Sequence, residues 1–168
     1  MIWFVDIEHP DIPLDAQKGP ERAKGLHEIA GHFEQIAGRP CRVLHYTDFS
    51  PGDLRPGDPT ALVLSGCSTL WYHYDMATFA SLFAVIRGEV PGATDLPILG
   101  ICGGHQLIAL GLGAPVRPMR WLGEGAPDES TREGWLQELG FQEVHLRTAE
   151  QRAVSPAEPL LEGLPNPI

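Results

Sequence analysis

The chain of 168 residues is 43% hydrophobic and 20% charged, with a formal net charge of −10, a profile that suits one globular domain over residues 1–168. Its acidity and scattered basic residues exclude nucleic acid and anionic membranes as partners, and no apolar run reaches the ~18 residues of a membrane span. Three cysteines make no disulfide framework and suit a reducing, cytoplasmic setting.

The N-terminal run 2–7 is apolar and β-rich and closes on Asp6, Glu8 and His9. It reads as a first strand rather than a signal peptide, because no basic region precedes it. Pro10 and Pro13 then impose an irregular loop. Glu8 and His9 stand where the C-terminal end of a parallel strand can line a ligand crevice, but a solvated loop is the simpler expectation for them. Residues 20–37 form the first long helix: Leu26, Ile29, Ala30, Phe33, Ile36 and Ala37 recur at three- and four-residue steps. Pro20 suits its first turn and Gly38 its C-terminal cap. His27 and His32, five apart on that helix, share no face well and read as surface residues. No CxxC or HExxH spacing occurs, so neither a metal nor a cofactor is expected.

Residues 41–46 form a second strand, in which Cys41 packs. A broken Pro/Gly/Asp-rich connection over 50–59 leads to the continuous apolar run 61–64, a buried parallel strand that opens into Ser65-Gly66-Cys67-Ser68. Trp71, Tyr72, His73 and Tyr74 either border a pocket or cover the sheet edge. A helix over 75–86 follows, with Phe79, Leu82, Phe83 and Ile86 on one side.

The stretch 96–110 organises the rest. A short apolar run bounded by Pro97 and Gly100 reads as a buried strand. Cys102 follows, then Gly103 and Gly104, then an apolar stretch with helical spacing through Leu112. A cysteine between strand and helix with glycine neighbours has the form of a nucleophile elbow. The helix N-terminus behind it favours the thiolate. A buried structural cysteine is the alternative. Beyond the elbow, 114–116 reads as the start of a short strand, 123–134 as a mobile polar surface loop, and 140–147 as a partly exposed strand. The Pro-rich tail 156–168 holds no complete element. Strand–helix alternation over 1–112 predicts an open, mostly parallel α/β sheet with helices on both faces, and places the Ser65 and Cys102 loops at the C-terminal strand ends, where ligands bind.

Gly100-Ile101-Cys102-Gly103-Gly104-His105-Gln106 resembles the G-x-C-x-G-x-Q elbow of the class I glutamine amidotransferases. Leu64-Ser65-Gly66-Cys67-Ser68 is similar to that family's strand-ending S-G-G-P loop, and Pro159-Leu160-Leu161-Glu162-Gly163-Leu164-Pro165 to its "plf-gLp" stretch. The resemblance implies a flavodoxin-like fold and hydrolysis of the glutamine side-chain amide, or of a related γ-glutamyl amide, through a thioester on Cys102. It further implies an oxyanion hole from the backbone N–H groups of Gly103 and Cys67, and a substrate pocket shaped by Gly66, Gly104 and Gln106.

Cys67 and Ser68 depart from the family's glycine and proline, although a backbone N–H survives either change. The family's general base, in an H-x-E motif beyond the "gLp" stretch, has no counterpart here. His145 comes too early, and His105 sits on the elbow helix itself. The expectation is therefore a domain truncated at its C-terminus, with an exposed apolar edge or a homo-oligomer. Its base would come from a missing segment or a partner chain, and its ammonia acceptor would be a synthase. A non-catalytic binding or regulatory module that keeps the elbow without the triad is the alternative. A weaker alternative is a deglycase- or protease-like cysteine hydrolase of the same superfamily, which would recruit Glu8 beside the cysteine.

Overall fold

The computed structural model describes residues 1–136. Four parallel strands, β1 (Ile2–Asp6), β2 (Cys41–His45), β3 (Ala61–Leu64) and β4 (Ile98–Gly100), form one sheet in the order β2-β1-β3-β4. Phe4 lies opposite Val43 on one side and Val63 on the other, and Val63 lies opposite Leu99. With β1 central, all five of its residues are buried. That is why it reads as a continuous apolar run rather than an alternating one.

Side chains alternate between the two faces, and each face has its own helical cover. Ile2, Phe4 and Val63 meet Leu26 and Phe33 of helix α2 (Lys18–Ala37). On the other face Trp3, Val5, Leu62 and Leu64 form a larger core with Phe79, with Leu82 and Val85 of α3 (Ala80–Ile86) and with Leu107 of α4 (Gly103–Gly111). The expected doubly covered α/β sheet is therefore present. No described helix is long and apolar enough to cross a membrane, and no group of three or more potential metal ligands occurs among the described residues.

Several elements differ from the sequence expectation in instructive ways. A four-residue helix α1 (Asp11–Leu14) occupies the loop after β1. Helix α2 starts two residues before Pro20, because the Asp15 carboxylate accepts from the N–H groups of Gln17 and Lys18 at 2.9 and 2.8 Å. At its other end Gly38 closes it in the left-handed conformation, φ 61°, as expected. Its apolar face is narrower than predicted: Ala30 is buried, but Ile29 and Ile36 are 42% and 85% exposed, because the stripe that meets the sheet runs through Leu26, Ala30 and Phe33. The helix predicted over 75–86 opens as a 3₁₀ turn, Met76–Phe79, with the Asp75 side chain accepting from Ala77 N–H.

Residues 114–116 form no strand; prolines 115 and 118 remove ladder donors there, and the segment runs as coil. The 123–134 segment is a surface loop, as expected, but its base is closed by a Trp121–Trp135 bridge and an edge-to-face contact between the two rings. The expected strand over 140–147, His145 and the "gLp" stretch lie outside the described residues.

Candidate active site

Cys102 sits at the turn from β4 into α4 with φ 50° and ψ −107°, and no other described non-glycine residue has positive φ. Such a conformation is costly for a residue with a Cβ and persists only where its surroundings enforce it. Here they do. Ile101 N–H bonds Leu64 O at 2.9 Å, which extends the β4–β3 pairing up to the turn, and Gly104 N–H returns to Ile101 O at 2.9 Å. The helix then starts directly against the end of β3: a Cβ on Gly104 would lie 2.4 Å from Leu64 O. The elbow is tight because α4 has nowhere else to begin, and Cys102 is left exposed at its N-terminus.

Gly103 packs on the loop that follows β3. A Cβ there would lie 2.5 Å from Cys67 Sγ and 3.0 Å from Cys67 N, and one on Gly66 would lie 3.5 Å from Cys102 Cβ. The backbones of Gly103 and Cys67 therefore pack against each other next to Cys102. Neither backbone N–H donates to an acceptor among the described residues.

The loop carrying Cys67 is held from below by buried charge. Arg22 of α2 pairs with Asp6 through Nε at 3.1 Å to both carboxylate oxygens, with a further contact from its NH2, and it donates to Gly66 O at 2.9 Å. Ser65 Oγ donates to Asp6 at 3.1 Å and accepts from Ile7 N–H.

Glu8 is 0% exposed, which corrects the expectation of a solvated loop. Its carboxylate accepts from Ser68 N–H (2.6 Å), Ser68 Oγ (2.8 Å), Thr69 N–H (3.1 Å), Tyr74 OH (3.2 Å) and His9 N–H (3.0 Å), and Arg22 lies 3.4 Å away. Burial pushes the carboxyl up, but the hydrogen bonds from Ser68, Thr69 and His9 outweigh it and hold the group at about 2. Burial also pushes the Cys67 thiol up, to about 11.

Cys102, Gly103, Cys67 and Gln106 line one cleft of about 450 Å³, walled by Trp71, Tyr72 and the 116–136 segment. The aromatic cluster, left open between pocket and sheet cover, is thus divided: Trp71 and Tyr72 border the pocket, and Tyr74 is buried in the core. The Trp71 indole N–H donates to Gln106 Oε1 at 2.7 Å. Arg132 closes the far side through Ser68 O at 2.7 Å. Gly66 and Gly104 lie beneath the cleft and are not part of its lining. No histidine among the described residues lines it: His105 is exposed outside it, and His73 is turned to Ser130 O. Sequence reasoning placed Asp6 and Ser65 at strand ends but missed their buried pairing with Arg22 below the loop, and it missed Arg132 beside it.

The sequence model described as "Glutamine amidotransferase class-I" matches residues 57–159, which includes the Cys67 loop, the elbow and the cleft wall. The chain belongs to the class-I glutamine amidotransferase family. Over 81 residues this amidotransferase chain is 33% identical to the carbamoyl phosphate synthase arginine-specific small chain of Eremothecium gossypii, a match that covers 48% of this chain and 17% of that one. No solved structure matches the chain.

Proposed function

We propose that this amidotransferase-family chain hydrolyses the side-chain amide of glutamine, or of a closely related γ-glutamyl amide, through a covalent thioester on Cys102. The observation that carries this reading is the juxtaposition of an exposed cysteine on a φ 50° turn with two backbone donors, Gly103 N–H and Cys67 N–H, that have no acceptor among the described residues. In the first step Cys102 Sγ attacks the amide carbon, and the carbonyl oxygen becomes an oxyanion between those two donors. Collapse expels the amide nitrogen as ammonia once it has gained a proton. Water then cleaves the thioester to release glutamate and regenerate the thiol. Gln106, fixed by Trp71, shapes the wall against which the substrate lies.

Both steps require one proton-transfer group, which passes the thiol proton to the leaving nitrogen and then accepts a proton from the attacking water. It is assigned to a group outside the described residues, in this chain or on a partner chain. The name of the Eremothecium gossypii relative supports a synthase as the ammonia acceptor.

A binding module that keeps the elbow without turnover is the second reading, favoured by the absence of a histidine among the described cleft-lining residues. Treatment with the chloroketone analogue of glutamine, followed by peptide mapping, tests the first. Saturable modification confined to Cys102 and prevented by glutamine is expected. Failure of Cys102 to react at any concentration of the analogue refutes the glutaminase reading.

A further inference from the structure

We infer that Glu8 is a positioning residue for the oxyanion hole: its buried carboxylate fixes the 66–69 loop so that Cys67 N–H stands beside Gly103 N–H. This rests on the glutaminase reading proposed above and names a residue on which that site depends. Cys67 N–H has no backbone ladder to hold it, since the last sheet bond of β3 is Ser65 N–H to Val5 O. What fixes the loop lies on either side of it. Upstream, Gly66 O accepts from Arg22. Downstream, Ser68 N–H, Ser68 Oγ and Thr69 N–H all converge on Glu8, while Ser68 O accepts from Arg132 on the solvent side.

A carboxylate can accept all of these bonds at once, because both of its oxygens are acceptors only. Glutamine in its place fits the volume but turns an NH2 toward some of those donors. Glu8 is fully buried and also accepts from Tyr74 OH, so bulk water does not replace at this position the bonds that glutamine cannot make. The loop must shift, and Cys67 N–H with it, while Cys102 and its turn, set by β3 and β4, stay in place. Displacing a catalytic donor by about 1 Å costs on the order of 100-fold in rate.

The experiment compares two reagents on the intact chain. The chloroketone analogue of glutamine reacts by attack of Cys102 Sγ on the ketone carbon, which places an oxyanion in the hole. The same sulfur then displaces chloride from the adjacent methylene carbon, the first carbon–sulfur bond breaks as the ketone re-forms to leave a thioether, and the thiol proton passes to solvent. Iodoacetamide alkylates the same sulfur with no oxyanion in the hole. In Glu8→Gln the maximal inactivation rate by the chloroketone is expected to fall about 10- to 100-fold. Its half-saturating concentration and the iodoacetamide rate stay within about twofold. Ser68→Ala, which removes one donor from an exposed position, shifts the same ratio in the same direction by a smaller factor, and it serves if Glu8→Gln does not fold.

Unchanged chloroketone rates in both variants overturn the role of Glu8 and leave the glutaminase reading standing. An equal fall with both reagents also overturns it, because the elbow itself has then moved. If wild-type Cys102 reacts with iodoacetamide and never with the chloroketone, the glutaminase reading fails and takes this inference with it.

Discussion

Two cysteines share the cleft, and their surroundings separate them. Cys67 Sγ lies against Thr69 O and under Gly103, and its thiol is pushed up to about 11 by burial. At pH 8 only about one Cys67 in a thousand is thiolate, the reactive form. Iodoacetamide at pH 8 is therefore expected to modify Cys102, leaving Cys67 intact, as read by intact-mass and peptide spectra. Equal rates at the two positions would contradict the buried environment of Cys67.

Glu8 gives a second residue-level expectation. Its folded value of about 2 lies below its ordinary 4.5. The stabilisation it supplies is thus complete above about pH 4.5 and is lost as pH falls toward 2. Urea midpoints of wild type and Glu8→Gln should differ near neutrality and converge between pH 4.5 and 2. A gap that stays constant across that window would show that the carboxylate charge is not what matters.

Among the elements, α4 bears most directly on the cleft. Leu107 is 0% exposed in the core, and Leu107→Ala is expected to cost about 2–5 kcal/mol in urea unfolding. Gly104→Ala acts differently: the new methyl group meets Leu64 O, so the helix must draw back from β3 and take Cys102 with it. Loss of stability together with loss of chloroketone labelling is expected. Labelling at the wild-type rate would mean that the elbow tolerates the displacement.

The elbow was legible in the sequence because a short apolar run, a cysteine, two glycines and a helical repeat are all local signals. The start of α2 was not, since its cap comes from Asp15, outside the apolar repeat that defines the helix. The width of its buried face was not legible either: periodicity marks which positions can face a sheet, and packing decides how many do.

At the scale of the molecule, Asp6 and Arg22 tie α2 to the cleft. Asp6 shares a sheet face with Ile2 and Phe4, and Arg22 precedes Leu26 by one turn on the stripe that covers that face. Strand parity and helix repeat together make this pair readable from sequence once β1 and α2 are known to pack. The Ser68 and Thr69 partners of Glu8 were not readable, for they lie 60 and 61 residues away on a loop with no pattern of its own. Asp6→Ala leaves the Arg22 cation without its main partner, and a loss of about 3–5 kcal/mol is expected from denaturant titration. A loss below about 1 kcal/mol would place Arg22 in water instead.

The Trp71–Gln106 bond gives the cleft an optical property of its own. Trp71 and Trp135 line the cavity, and Trp121 lies edge-on to Trp135. The chain's fourth indole, Trp3, is sealed in the core. Anything that fills the cavity displaces water from two indoles and perturbs the hydrogen bond of one. Occupancy of the cavity is therefore expected to change the tryptophan emission, and a titration of the chain with glutamine followed by fluorescence checks whether the proposed substrate enters it.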